Sequence, residues 1–465
     1  MNIEEIKVEG LRGDDKLPQE WAIATVKEFC KIQTGKKDVN QGNPNGQYYF
    51  FTCASEPLRS DDYIFDGQSI LLPGNGANVG LVVYYKGKFD LYQRTYALTN
   101  FLINGKYLYF YFLANWKNSL IDKQYGSATN YIRLGNITEF SIPIAPLNEQ
   151  KRIVEKLEKL LAKVNDSCDR LSRIPTILKR FRQSVLASAC SGRLTADWRK
   201  QHPNIEPAEE LLKKDTGNDI NELPQSWCFV SVGDVITELK YGTSKKCSYD
   251  KQSHSVLRIP NVVQGVIDCS DLKYTELSDK EYETLRLKIG DILMIRSNGS
   301  VSLIGKTAMV TQSEEGFAYA GYLIRLRPNL SMIDPGYLNY YLSSYEIRLQ
   351  IELPARSTSG VNNINSTEVK KLAIAVPPLQ EQKEIVRRVQ ALFKKCNLIE
   401  QKYLKAKTYT DKLTQSILAK AFRGELVPQD PNDEPAEVLL ERIREEKALT
   451  EKSSKGKKRS KSKTT

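Results

Sequence analysis

The stretch PLNEQKRIVEKLEKLL, residues 146–161, decides how this chain is read, because it returns as PLQEQKEIVRRVQALF at 378–393. At that offset of 232 residues, segments 146–194 and 378–426 are identical at 18 of 49 positions, where chance gives about three. The close of the segment repeats too, QSVLASACSGRL (183–194) as QSILAKAFRGEL (415–426). Farther out, PNIEPAEELL (203–212) returns as PNDEPAEVLL (431–440), and LPQEW (17–21) as LPQSW (223–227). The blocks between the repeats share only scattered matches. The plan is variable, repeated, variable, repeated: two different heads on two equivalent supports.

Each repeated segment is helical by its period. Apolar residues mark one heptad seam, at Ile153, Leu157, Leu160, Val164, Leu171, Leu178, Phe181 and Val185, and again at Ile385, Val389, Leu392, Ile399, Leu413 and Ile417. So narrow a stripe is no core by itself, so the two helices are expected to pair, antiparallel because large blocks separate them. Gly192 and Gly424 fit as C-terminal stops, and Pro175 predicts a kink or break in the first helix. The Glu of each Glu-Gln-Lys is explained by its place at a helix start, where the dipole favours an acid. The variable blocks show short β-type runs punctuated by Gly, Asn and Pro, then Tyr-rich helices YLYFYFLANW (107–116) and YLNYYLSSYEIRLQ (337–350), read as core. The expected fold is α+β: two mixed α/β domains separated by two long helices forming an antiparallel coiled coil, with a pseudo-twofold internal repeat. The boundaries read as an N-terminal extension 1–16, a first domain 17–145, a first spacer helix 146–194, a linker 195–222, a second domain 223–377, a second spacer helix 378–426 and a C-terminal segment 427–465.

The net charge of +12 is unevenly placed. From Lys452 onward seven bases and no acid give a polybasic tail, expected to be disordered, and leave +5 for the body. That balance permits a nucleic-acid partner. Eight Cys, no two closer than 19 residues, and two His make a metal site improbable and suit reduced thiols. The N-terminus carries three acids and no apolar core, and the longest strongly apolar stretch is ten residues, so a soluble intracellular protein is expected.

The loops carry side chains suited to base edges and phosphates. Arg pairs with guanine, Asn and Gln with adenine, and Lys, Ser and Thr with phosphate oxygens. The DNA-binding candidates are Lys36, Lys37, Asn75, Asn78, Gln93, Arg94, Ser127 and Asn130 in the first block. In the second they are Lys245, Lys246, Arg296, Ser297, Asn298, Arg356, Ser357 and Asn363. Catalytic motifs fail on spacing. GSVSLIGKT (299–307) places five residues between its glycines where a phosphate-binding loop needs four, and PGNGANVG (73–80) is not the dinucleotide fingerprint. MIDPGY (332–337) fits a helix start at Asp334-Pro335, and Glu-Gln-Lys lacks the paired Asp of a nuclease. No catalytic constellation is found.

The Pro-Leu-x-Glu-Gln-Lys openings and Gln-Ser-x-Leu-Ala-x-Ala closings, around two variable domains, resemble the specificity (S) subunit of type I restriction–modification systems over nearly the whole chain. The resemblance implies a cytoplasmic, prokaryotic, non-catalytic subunit. Each variable domain would be a target recognition domain reading half of a split, asymmetric site on double-stranded DNA. The helices would space the halves and dock two modification (methyltransferase) subunits. Those would bring S-adenosylmethionine for adenine methylation, this chain binding no cofactor, and restriction (motor and nuclease) subunits would join. The alternatives are a stand-alone DNA-binding regulator and a coiled-coil adaptor.

Overall fold

The computed structural model describes residues 17–121, 130–209, 223–251, 254–263, 265–352 and 362–461. The chain forms two compact units: Met1–Ser172 with Lys405–Thr465, and Arg173–Leu404. Each unit therefore takes one variable block, part of one repeated helix and the opposite end of the other.

The first unit is built on a six-stranded sheet in the order Lys31–Thr34, Thr95–Thr99, Phe65–Pro73, Val83–Leu91, Tyr48–Phe51, Leu58–Ser60. All pairs are antiparallel except Tyr48–Phe51 with Val83–Leu91. The helix Gly105–Ser119 is capped by the Asn104 side chain, which accepts from the Lys106 and Tyr107 amides. It buries Tyr107, Leu108, Tyr111, Phe112 and Trp116 in one cluster with Ile70, Leu72 and Leu98 of the sheet. The strand Ala22–Thr25 pairs with Ser141–Ile144 and delivers the chain to the first long helix.

In the second unit the central sheet has four antiparallel strands, in the order Ile236–Tyr241, Leu323–Pro328, Ile292–Ile295, Thr307–Met309. A smaller sheet joins Lys273–Thr275, His254–Leu257 and Ala318–Tyr319. The helix Pro335–Leu342 starts at Asp334, whose side chain accepts from the Gly336 and Tyr337 amides. Cys228–Ser231 pairs with Ala373–Val376, as the corresponding pair does in the first unit.

Pro175 divides the first repeated segment into helices Leu147–Ser172 and Ile174–Cys190. Its ring nitrogen has no proton for the preceding turn. The second segment has Lys407 at that position and runs unbroken for 44 residues, Leu379–Phe422. Ile153, Leu157, Leu161 and Val164 share a core with Ile417, Leu418, Ala421 and Phe422, while Val185 and Ala189 share one with Ile385 and Val389. Within each unit the start of one repeated segment meets the end of the other, the antiparallel sense. Of the expected seam, Ile153, Leu157, Val164, Leu178, Val185, Ile385, Val389 and Ile417 are buried, and Leu160, Leu171, Leu392 and Leu413 are half-buried. Phe181 and Ile399, at 43% and 46% exposure, depart from it. A straight helix drifts off a seven-residue repeat, and here the helix ends also pack on their own blocks. The buried stripe is therefore wider and shifted, taking in Val154, Leu161, Leu418 and Ala421.

The repeated Glu-Gln has a reason beyond the helix dipole. Glu149, Gln150, Glu381 and Gln382 are all buried. Trp21 Nε1 donates to Glu149 Oε2 at 3.0 Å, and Trp227 Nε1 to Glu381 Oε2 at 3.0 Å. Gln150 accepts from the Asn104 amide at 3.0 Å and donates to Ala145 O at 2.8 Å. Gln382 accepts from the Asp334 amide at 2.7 Å and donates to Pro377 O at 2.9 Å. One residue pair thus clamps the opening strand, the block's helix and the long helix together. The Pro of each Leu-Pro-Gln-x-Trp closes the clamp. A Cβ on Gly424 (φ 76°) would lie 2.3 Å from Pro18 Cγ, and one on Gly192 (φ 72°) 2.6 Å from Pro224 Cγ. Both positions require glycine twice over, by dihedral and by space.

A helix spans Ala436–Lys461. Ala436, Leu439, Leu440 and Ile443 bury its first turns in the first unit, and Arg444 pairs with Glu28 at 3.1 Å. Once nucleated there, the stretch 436–449, rich in Glu, Leu and Arg and free of proline and glycine, propagates at little cost per residue.

Candidate nucleic-acid interface

In the first unit the strand Lys31–Thr34 ends at Gly35, where a Cβ would sit 1.6 Å from Leu91 O. That close approach lets Lys37 bridge in parallel to Tyr92, and Gln93 N donates to Lys37 O at 3.0 Å. The turn at 92–94 then supports the end of the central strand, since Gly74 N donates to Arg94 O at 2.9 Å. Gly74 O accepts from Ile132 N at 2.9 Å, and Asn75 bridges antiparallel to Tyr131. Gly74, Asn75, Gln93, Arg94, Tyr96, Tyr131 and Ile132 line a cleft of about 330 Å³.

The second unit builds the same backbone frame from unrelated residues. Ile236–Tyr241 ends at Gly242, where a Cβ would sit 2.2 Å from Tyr319 O. Thr243 bridges in parallel to Ala320, and Gly321 N donates to Thr243 O at 2.7 Å. Arg296 N donates to Tyr322 O at 3.0 Å, and Arg296 O accepts from Ile364 N at 2.9 Å. Ser297 pairs with Asn363, and Asn298 with Asn362. Equivalent places on the two frames thus hold Gly74 and Arg296, Asn75 and Ser297, Arg94 and Tyr322, Tyr131 and Asn363.

Asn75, Gln93 and Arg94 come together in the first cleft, and Arg296, Ser297, Asn298 and Asn363 in the second frame. Lys36, Arg94, Asn130, Lys246 and Asn363 are exposed. Lys37 turns inward: its Nζ lies 2.7 Å from the fully buried carboxylate of Asp90 and donates to Ser60 Oγ at 2.8 Å. The Asp90 hydrogen bond holds its pKa above the ordinary lysine value. Lys245 is tied to Glu281 at 2.7 Å and to Glu276 O at 3.2 Å, and Lys245 with Ser278 holds Glu281 down to about 2. Lys37 thus faces a buried carboxylate, whereas Lys245 keeps an exposed side chain beside an exposed one. Asn78 Nδ2 donates to Cys53 O at 2.8 Å, and Gln93 Nε2 reaches Asp38 at 3.4 Å. Ser127, Arg356 and Ser357 lie outside the described residues. Sequence reasoning missed Tyr96, Tyr131, Tyr241 and Tyr322. Only their nearness to turns hinted at a surface role, and Tyr322 is 62% exposed.

A family model, the type I restriction modification DNA specificity domain, matches residues 18–170 and 224–407. The chain belongs to the type I restriction enzyme specificity subunits. Its role is DNA sequence recognition, and one matched segment lies largely in each unit. The type I restriction enzyme EcoDI specificity subunit of Escherichia coli is 34% identical over 470 residues, covering 94% of this chain and 97% of that one. The EcoKI specificity subunit of Escherichia coli (strain K12) is 36% identical over 344 residues, 72% of this chain and 70% of that one. A solved chain described under "Structural basis underlying complex assembly and conformational transition of the type I R-M system" shares the fold, with a TM-score of 0.66 at 17% identity. That match covers 88% of this chain and 99% of the other. Among the described residues of this family member, no helix is long and apolar enough to cross a membrane.

Proposed function

We propose that each unit reads one half of a bipartite, asymmetric duplex DNA site through its frame of paired loops, and that the long helices set the spacing between the halves. The observation that carries this reading is the repetition of one backbone frame with different side chains at each equivalent place. Readers of two unlike half-sites need a common way of presenting side chains and a different set to present. The chain itself contributes no catalytic group. The repeated helices dock two modification subunits, which hold S-adenosylmethionine and methylate adenine, and restriction subunits complete the assembly in the bacterial cytoplasm. Two equivalent docking surfaces account for a helix written twice.

The test is to map adenine methylation across the host genome with and without this gene. The expected result is a split motif with a fixed gap that disappears on deletion. An unchanged methylome, with no methyltransferase recovered on the tagged chain, overturns the proposal.

A further inference from the structure

We infer that Arg296 is a guanine-reading residue of the second unit, and that Tyr241 is the positioning residue that aims it. This deepens, and rests on, the proposal that each unit reads a half-site. The buried strand Ile292–Ile295 ends at Arg296, whose backbone is pinned from both sides, by Tyr322 O and by Ile364 N. The Arg296 guanidinium lies over the Tyr241 ring with its carbon 4.5 Å from the centroid. The ring is itself anchored: Tyr241 Oη accepts from the Ser366 amide at 2.9 Å. Among the described residues, Arg296 Nη1 makes one long contact, to Gly321 O at 3.5 Å, and the buried Nε has no acceptor.

A stacked guanidinium has surrendered its rotational freedom and kept most of its five donors. That is the state in which a planar fork costs least to dock on O6 and N7 of guanine. A phosphate-neutralising arginine needs no such rigid platform. An arginine recruited to stabilise the fold would have a carboxylate partner, as Arg325 and Arg327 have in Glu238 on the same sheet. The first unit lacks this reader. Its equivalent, Gly74, has Arg94 O 2.3 Å from where a Cβ would stand, so no side chain fits. The determinant therefore belongs to one half-site only.

The experiment replaces the chromosomal gene with Arg296→Ala, Arg296→Lys, Tyr241→Ala and Tyr241→Phe and maps the methylated motif for each. Arg296→Ala is expected to make one G·C position in one half-site degenerate, losing roughly 5- to 150-fold in discrimination there. The other half-site and the gap stay unchanged, an internal control for folding. Arg296→Lys keeps the charge but loses the fork, so it degenerates at the same position. Tyr241→Ala relaxes that position with Arg296 still present, and Tyr241→Phe, which keeps the ring, preserves the motif. Arg296→Lys retaining the wild-type motif, degeneracy at an A·T pair, or uniform loss of methylation in both Arg296 variants overturns the inference. So does a Tyr241→Ala motif identical to wild type. A wild type with no gene-dependent motif fails the half-site proposal itself and the inference with it. A wild-type motif untouched by Arg296→Ala overturns the inference alone.

Discussion

The two clamp glutamates occupy equivalent places but face partners of different charge, and that difference sets the effect of one substitution made twice. Glu149 accepts from two neutral donors, Trp21 Nε1 at 3.0 Å and Gln429 Nε2 at 3.1 Å. Glu381 accepts from Trp227 Nε1 at 3.0 Å and Thr195 Oγ1 at 2.6 Å, and pairs with the Arg199 guanidinium. Glu381 is fully buried and the Arg199 side chain only 19% exposed. Glu381→Gln leaves that guanidinium without its carboxylate, and breaking a buried pair costs about 3–5 kcal/mol. In a unit of this size each kcal/mol moves the midpoint by about 2–4 °C, so Tm should fall by ~6–20 °C. Glu149→Gln forfeits one hydrogen bond but no longer buries a charge, and its expected cost is ~1 kcal/mol or less. The pH dependence separates the two further. Burial raises the Glu149 pKa above its ordinary 4.5. A carboxyl that binds its proton more tightly when folded stabilises the protein most below the unfolded value, and that contribution is lost as pH rises through the folded one. Glu149→Gln should remove this component of the pH profile. Scanning calorimetry of the full chain from pH 4 to pH 8 checks both points. Equal losses in the two variants, or a larger loss for Glu149→Gln, would refute the assignment of the two partner sets.

Three further outcomes are expected. Four residues inserted into each long helix add about 6 Å to each. At roughly 3.4 Å per base step, the gap in the methylated motif should widen by up to two base pairs with both half-sites unchanged, and an unaltered gap removes the ruler role. Arg94→Ala, at the mouth of the first cleft, should relax one half-site and leave the half-site affected by Arg296→Ala intact, read by the same mapping. Arg387 and Arg388 hold Glu384 down to about 2, and Arg388 also pairs with Asp197 at 2.7 Å. Because that pKa is depressed, the Glu384 contribution is present above its ordinary 4.5 and lost as pH falls toward 2. Arg388→Met should therefore lower Tm at pH 7 by more than at pH 3, and an equal loss at both contradicts the ion-pair account.

The long helices were legible because their signals are local: a seven-residue apolar period, a proline at 175, glycines at 192 and 424. The tyrosine-rich stretches were legible for the same reason, since Tyr107, Tyr111, Tyr337 and Tyr341 mark the buried face of short helices. The clamp was visible only as recurrence. Trp21 and Glu149 are far apart in sequence, and nothing local says that an indole N–H will meet that carboxylate. For Lys37 and Lys245 the sequence shows a charge and not its partner. Asp90 and Glu281 reach them only once the strands have paired.

By itself, then, the sequence determined that there are two heads and two equivalent supports, where the helices stop and where one of them breaks. Those features follow from residue period, backbone dihedrals and self-identity, all read within a few turns of chain. Only the tertiary structure decided that Gly74 and Arg296 stand at the same place, since strand register is set by pairing between distant segments. Only it showed that Lys37 faces a buried carboxylate while its neighbour Lys36 stays exposed. What surrounds a charged side chain is set by its neighbours across the sheet, which no local pattern in the sequence shows.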